Sequence, residues 1–132
     1  MIAYVDTNIL VRHLTNDPPS LANKATALLE GAEQLILPDL VMAELIYVLE
    51  SYYEHPRDEI AQSGRALLAL PSIAVHDHDL LLRALELYEY AKLDFAEAYL
   101  AAAAELSGIY AVASFDRSLD RLETIERFET LA

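Results

Sequence analysis

The sequence predicts an α/β protein with a mainly parallel sheet of four or five strands. Short apolar runs, partly β-branched, alternate along the chain with longer segments of helical periodicity. Strands that alternate with helices in this way form parallel sheets covered on both faces. Ligands of such sheets bind beyond the C-terminal ends of the strands, and two predicted strands are followed there by an acid, Asp6 and Asp116.

The predicted elements fill the chain without a linker, a repeat or a low-complexity segment. Strands are predicted at residues 2–5, 35–37, 73–75 and 110–113, the first of them buried, with a weaker edge strand at 125–128. Helices are predicted at 9–14, 20–31 with Ser20 as its cap, 39–54, 57–70, 80–92 and 94–108, with a short helix from Arg117. Residues 76–79 are predicted to form a loop. The 132 residues are expected to form one domain, spanning residues 1–132, with one core.

Composition excludes several classes of protein. A hydrophobic content of 55% is too high for a disordered chain, and the absence of cysteine excludes disulfide frameworks and thiolate metal sites. The first residues carry no basic segment followed by an apolar stretch of signal-peptide length. The longest apolar run, residues 98–104, is far shorter than the roughly 20 residues of a membrane span. We therefore expect a cytoplasmic protein with no membrane association.

The charge is strongly acidic. The chain has 22 acidic and 9 basic residues, for a net charge of −13, and Lys24 and Lys92 are its two lysines. Such a surface repels nucleic acid at long range, because binding to a polyanion normally depends on Lys and Arg. A bound cation would reverse the sign locally. The same acidity suits a basic protein partner.

Three acids stand where a predicted helix begins, and each has two interpretations. Asp6 follows the first strand, Asp94 precedes an alanine-rich helix, and Asp116 precedes the short helix near the C-terminus. Each is suited to cap its helix, and Asp94 with Glu97 three residues later fits a capping box. Taken alone, each is more often a cap than a ligand of a functional site.

Glu44 differs, because it lies inside a predicted helix among apolar residues. Leu40 and Val41 precede it at helical spacing, Tyr47 and Val48 follow it, and no basic residue lies within one turn. A carboxylate in an apolar stripe is costly unless it is paired or bound to metal. The alternative is an exposed glutamate on a loosely amphipathic helix.

Together the four acids predict a site for Mg²⁺ or Mn²⁺. The predicted fold is able to bring Asp6, Glu44, Asp94 and Asp116 to one end of the sheet. Hard cations take oxygen ligands, and clustered carboxylates repel one another without such an ion. A metal there would activate water for attack on a phosphate.

The order of these motifs resembles the PIN-domain family. Val5-Asp6-Thr7-Asn8 follows the first strand, and Glu44 lies in the third helix. Asp94-Phe95-Ala96-Glu97-Ala98 then opens a late helix, and Ser114-Phe115-Asp116 follows the fourth strand. The resemblance covers essentially the whole chain, and the segment 6–12 is most similar to VapC-type toxins of toxin–antitoxin systems.

The resemblance implies a three-layer α/β/α sandwich and a metal-dependent endoribonuclease. Its metal ligands and catalytic acids would be Asp6, Glu44, Asp94 and Asp116, with Asn8 and Ser114 orienting carboxylates or water and Glu97 as an outer ligand. It also implies RNA products with 5′-phosphate and 3′-hydroxyl ends, a cognate antitoxin that is basic near the pocket, and a homodimer. A degenerate PIN domain that only binds or scaffolds, and a free-standing PIN nuclease without antitoxin, are the alternatives.

Other functional patterns are weaker. An aspartate-nucleophile phosphatase would usually carry a second acid where Asn8 stands, and a receiver domain would need a lysine after the strand at 110–113, where none follows. The segment His76-Asp77-His78-Asp79 suits either a transition metal or a solvated loop. The arginines near the proposed site suit either RNA phosphates or surface ion pairs; they are Arg12, Arg117 and Arg121.

Overall fold

The computed structural model describes residues 1–131, which form two compact units. The first unit, Met1–His78, contains β1 (Ile2–Tyr4), α1 (Thr7–Thr15), α2 (Pro19–Gly31), β2 (Gln34–Ile36), α3 (Asp39–Ser51), α4 (Arg57–Leu68) and β3 (Ile73–Ala74). The second unit, which begins at Asp79, contains most of α5 (His78–Tyr90), then α6 (Phe95–Ser107), β4 (Ala111–Ala113), a 3₁₀ helix (Arg117–Arg121) and β5 (Glu126–Phe128).

The first unit is built on a three-stranded parallel sheet with β2 in the centre. Ala3 pairs with Leu35, and Leu35 pairs with Ile73 on the other side. The ladder continues one residue past the strands, since the amide of Val5 donates to the carbonyl of Ile36 at 3.0 Å. All strands run in the same direction, so the residues that follow β1, β2 and β3 leave the sheet at one edge.

The helices of the first unit bury their apolar faces around this sheet. In α3 the buried side chains recur at helical spacing; they are Met42, Leu45, Ile46 and Leu49. The opposite face of α3 is open to solvent, since Leu40 is 79% and Tyr47 67% exposed. The orientation of α3 is therefore fixed by one apolar face, and the other face is free to line a surface site.

The second unit packs α5 against α6 and adds a two-stranded parallel sheet, β4 with β5. Tyr88 and Phe95 meet edge to face, with ring centroids 6.2 Å apart. Arg83 on α5 donates through Nε and Nη2 to the two carboxylate oxygens of Glu105 on α6, at 2.7 and 3.0 Å. This bidentate pair raises the pKa of Arg83 and lowers the pKa of Glu105, mainly through the hydrogen bonds between them.

The predicted α/β class and parallel pairing are confirmed, and all five predicted strands are present, including the weak one at 125–128. They form sheets of three and two strands, one in each unit, where a single sheet was expected. The strands are only two or three residues long, so each pairing rests on few hydrogen bonds. The expectation that the first strand is buried is wrong, because Ile2 is 63% and Tyr4 74% exposed.

Several helix boundaries also differ from those predicted. α2 begins at Pro19 after Pro18, so Ser20 is not its cap; proline at the first helical position loses no hydrogen bond. α3 ends at Ser51 rather than near residue 54, and α5 begins at His78, inside the predicted loop. Within residues 1–131, no helix is long and apolar enough to cross a membrane.

The packing of α3 predicts how substitutions on its two faces change the stability of the protein. Leu49 is fully buried, so Leu49→Ala should lower the free energy of unfolding by about 2–5 kcal/mol, through lost apolar burial and the cavity left behind. Leu40→Ala, on the exposed face of the same helix, should change it by less than about 0.5 kcal/mol. Urea unfolding measures both. Equal losses in the two variants would mean that the faces of α3 are assigned wrongly.

Candidate functional site

The first unit contains an open pocket of about 370 Å³ beside the end of β1. It is bounded by the start of α1, by the loop after α1, and by α3 with the turn that follows it. The residues that line it are Asp6, Thr7, Asn8, Val11, Arg12, Asp17, Glu44, Val48, Tyr52 and Tyr53. Two of the four predicted acids, Asp6 and Glu44, thus lie in one pocket, together with Asn8.

Asp6 is held by the turn from β1 into α1. It is the N-cap of α1 with an extended backbone, and its Oδ1 accepts a hydrogen bond from the amide of Thr7 at 2.8 Å. The side-chain amide of Asn8 donates to the other carboxylate oxygen at 3.3 Å. The side chain of Asp6 is nevertheless exposed. It therefore caps the helix and presents a fixed carboxylate to the pocket, with Asn8 as its support.

Glu44 reaches the pocket for a different reason from the one predicted. The residues that bury α3 lie on its other face, and Glu44 is exposed beside the half-buried Val48. The prediction that Glu44 interrupts a buried apolar stripe is wrong, because Leu40 and Tyr47 are themselves exposed. Its exposed carboxylate lines the same pocket as Asp6.

Thr7 was not predicted as a site residue, and its hydroxyl has an unusual environment. Thr7 lines the pocket and is only 4% exposed, and its Oγ1 is buried without a hydrogen-bond partner among the described residues. A buried polar group left without a hydrogen bond costs about 1–3 kcal/mol and is uncommon in folded proteins. The sequence carried one signal for it, its position between Asp6 and Asn8.

The far wall of the pocket is tied together around Asp17. Arg12 donates through Nη1 to the carbonyl of Asp17 at 2.9 Å, and the hydroxyl of Tyr53 donates to its carboxylate at 3.2 Å. These contacts join α1 to the turn after α3. Neither Asp17 nor Tyr53 was predicted as part of a site, because their proximity depends on the tertiary fold.

In the second unit, Asp94 occupies the N-cap position of α6, but its side chain makes no capping hydrogen bond. The capping-box interpretation with Glu97 therefore fails on the Asp94 side. The helix begins without it, since the carbonyl of Asp94 accepts from the amide of Ala98 at 2.9 Å. Asp94 is exposed and Glu97 partly exposed. The carboxylate of Asp94 therefore makes no capping hydrogen bond to α6.

Asp116 does cap the 3₁₀ helix, by accepting from the amide of Ser118 at 2.9 Å. The pKa of Asp116 is held below its ordinary value by hydrogen bonds from Ser118, the side-chain bond first, and then by the positive charges of Arg121 and Arg127. Ser114 supports the same turn, since its Oγ accepts from the amide of Asp116 at 2.9 Å. Ser114 thus shapes the backbone that carries the carboxylate.

Arg121 joins the two acidic segments of the second unit. Its Nη1 donates to the carbonyls of Ala91 and Lys92, at 3.2 and 3.1 Å, in the turn that leads to Asp94. Lys92 there has a positive φ of 57°, which is uncommon outside glycine. Arg121 therefore caps the end of α5 and ties the helix after Asp116 to the turn before Asp94.

The described acids of neither unit form a closed metal site. Among residues 1–131, neither unit brings three or more His, Asp or Glu side chains into a group that could hold a metal ion. The His76-Asp77-His78-Asp79 segment is therefore not a metal cluster, and His78 lies 3.4 Å from the carbonyl of Leu68. Asp6 and Glu44 lie in the first unit, and Asp94 and Asp116 lie in the second.

Parallel strands that end in supported carboxylates define an α/β protein with acidic surface sites. The chain belongs to the PIN-domain family, whose model matches residues 3–125 and whose members are generally nucleases. It is similar to the crystal structure of VapBC2 from Rickettsia felis bound to a DNA fragment from their promoter. That match has 18% identity and a TM-score of 0.38, over 97% of this chain and 98% of the other. No curated protein matches the sequence.

The contacts of Arg121 predict a local effect. Arg121→Ala should speed amide hydrogen exchange in the turn at 91–95 roughly fivefold, because two charge-assisted hydrogen bonds worth about 1 kcal/mol net are lost. Arg117→Ala removes the same charge from an exposed neighbour and serves as the control. Exchange is followed by mass spectrometry on peptides that span the turn. Equal acceleration in both variants would show an effect of charge rather than of the cap.

Proposed function

We propose that this chain is a Mg²⁺- or Mn²⁺-dependent endoribonuclease that acts in the cytoplasm as the toxin of a toxin–antitoxin pair. Both compact units would belong to one PIN domain, and the active form would be a homodimer. The observation that carries the proposal is the pocket shared by Asp6 and Glu44, in a chain whose PIN match spans both units.

The oxygen donors of the pocket suit a hard cation. Mg²⁺ is commonly held by one or two carboxylates while it keeps several waters and contacts substrate phosphate. Asp6 and Glu44 supply two carboxylates to the pocket. Asn8 restrains Asp6, as outer-shell partners of metal ligands generally do.

In the proposed enzyme, Asp94 and Asp116 of the second unit complete the acidic site. A bound cation would supply an activated water and stabilise charge on the phosphate that is attacked. Asp94 is suited to bind metal because its carboxylate is not used as a cap. Ser114 would fix the turn that carries Asp116, and Glu97 would act from the outer shell. Hydrolysis of RNA would leave 5′-phosphate and 3′-hydroxyl ends.

The net charge of −13 supports the second half of the proposal, a basic antitoxin. Exposed carboxylates around the pocket attract a basic segment and repel free RNA, so a partner that covers the pocket would gain from the same charge that weakens substrate binding. The alternative, a PIN domain that binds without catalysis, is favoured by one observation: neither described unit contains three clustered acids.

Single substitutions of the four acids test the enzyme. Asp6→Asn, Glu44→Gln, Asp94→Asn and Asp116→Asn should each lower RNA cleavage in Mg²⁺ or Mn²⁺ by about a hundredfold or more, since removal of an outer-shell partner alone typically costs roughly 10–100-fold. The loss of cleavage in Asn8→Ala and in Ser114→Ala should fall within that smaller, roughly 10–100-fold range. Chelator should abolish cleavage by the wild type.

Glu50→Gln is the matched control for Glu44→Gln, because Glu50 is an exposed glutamate on α3 outside the pocket. It should cleave like the wild type. Calorimetric titration with Mn²⁺ reports metal binding independently of the RNA chosen. Two or more site variants that fold, bind Mn²⁺ and cleave like the wild type would contradict the four-acid site.

The toxin role predicts inhibition by a small protein encoded next to this chain. Co-expressed with that neighbour, the chain should co-purify with it and lose cleavage, and the complex should weaken as salt is raised because its contacts are charged. Expressed alone, it should slow growth, and Asp6→Asn should relieve this. Normal growth with an active, partner-free protein would favour a free-standing nuclease.

A further inference from the structure

The acidic pocket has an aromatic wall that the proposed metal site does not use. Tyr52 and Tyr53 line it where α3 ends. Their rings meet edge to face, with centroids 5.1 Å apart, and Tyr53 also contacts the ring of His55 at 6.0 Å. Tyr52 is the C-cap of α3 and is 78% exposed, so one aromatic ring is held by its neighbour and remains open to solvent.

The turn that carries these rings is fixed to the helix. The amides of Tyr52 and Tyr53 both donate to the carbonyl of Val48, at 2.9 and 3.3 Å, and His55 donates to Leu49 at 3.0 Å. The hydroxyl of Tyr53 is anchored on Asp17. A preorganised aromatic surface loses little conformational freedom on binding, which favours stacking.

Arg12 supplies the cation that the acidic pocket otherwise lacks. It lines the same pocket and is partly exposed, and one of its guanidinium nitrogens donates to the carbonyl of Asp17. Within residues 1–131 it forms no salt bridge with a carboxylate, although the chain has more than twice as many acids as bases. Its remaining donors are suited to a phosphate.

The pocket contains groups that suit each part of a nucleotide. The aromatic face suits the base, and the guanidinium, which has no carboxylate partner, suits a phosphate. The two carboxylates suit a metal ion that also contacts phosphate. We propose that Tyr52 is a stacking platform for one base of the RNA strand and that Arg12 binds the adjoining phosphate. This rests on the proposed function for the identity of the polymer. Stacking tolerates any base, so the subsite adds affinity rather than sequence selectivity. A volume of about 370 Å³ lies in the range of small-ligand pockets.

A mononucleotide tests the subsite without cleavage, because it contains no phosphodiester bond. Adenosine 5′-monophosphate and ribose 5-phosphate differ only in the base, and their affinities in Mg²⁺ are measured by NMR titration. The wild type should bind the nucleotide about tenfold more tightly, the order of one base–aromatic stack. Tyr52→Ala should abolish that preference, and Tyr52→Phe should keep most of it. Arg12→Gln should weaken both ligands alike.

Tyr47→Ala is the matched control, since Tyr47 is also an exposed tyrosine of α3 but lies outside the pocket. Its preference for the nucleotide should equal that of the wild type. Melting curves confirm that each variant is folded. If the wild type shows no preference for the nucleotide, or if Tyr52→Ala retains it, the stacking subsite is wrong.

RNA cleavage, assayed separately, distinguishes the two proposals. Cleavage with no nucleotide preference would uphold the nuclease and overturn the subsite. A preference that depends on Tyr52, without cleavage, would uphold a nucleotide site in a non-catalytic PIN domain. If Tyr52→Ala weakens binding of the partner protein and leaves the nucleotide preference intact, the aromatic wall serves the partner and the stacking proposal is overturned.

Discussion

The last hydrogen bond between β1 and β2 determines where the pocket of the first unit is built. The amide of Val5 donates to the carbonyl of Ile36, which holds the chain in the sheet up to the residue before Asp6. The backbone then turns directly into α1, with Asp6 as its N-cap. Because α1 starts at this point, its first turn presents Thr7 and Asn8 to the pocket, and its second turn presents Arg12. A shift of one residue in this register would exchange the exposed Asp6 with the buried Val5.

Capping and site formation are not competing roles at this turn. A carboxylate that accepts from a helix amide is fixed in position, which is useful in a metal ligand. Asp6 has this arrangement with Asn8 as a further support, and Asp116 has it with Ser114 beneath the turn. Asp94 lacks the capping bond, and its segment is held instead through the backbone carbonyls that accept from Arg121. Three acids are thus positioned by two different means.

The fold class, the parallel strands and the order of elements could be predicted because they depend on local apolar patterns and helix breaks. Glu44 was predicted as a metal ligand on a wrong premise. Its neighbours at helical spacing are apolar, but Leu40 and Tyr47 are exposed. Periodicity alone does not show which face of α3 is buried. Thr7, Asp17, Tyr52 and Tyr53 were missed as site residues. Asp17 and Tyr53 meet across 36 positions of sequence, and no local pattern marks such a pair.

The acidity of the chain has a consequence for how the pocket would select its ligands. With a net charge of −13, the protein as a whole disfavours a polyanion, so any RNA that binds must gain its affinity from groups close to the pocket. Three groups of the proposed site would act at contact distance, where screening by salt is weakest: the guanidinium of Arg12, the ring of Tyr52, and a metal ion bound by Asp6 and Glu44. An aromatic ring contributes to binding affinity without carrying a charge, so the surrounding carboxylates do not weaken its contribution. In an acidic nuclease, stacking would therefore carry a larger share of substrate affinity than in a basic one, and the exposed tyrosine at the end of α3 lies where that share would be gained.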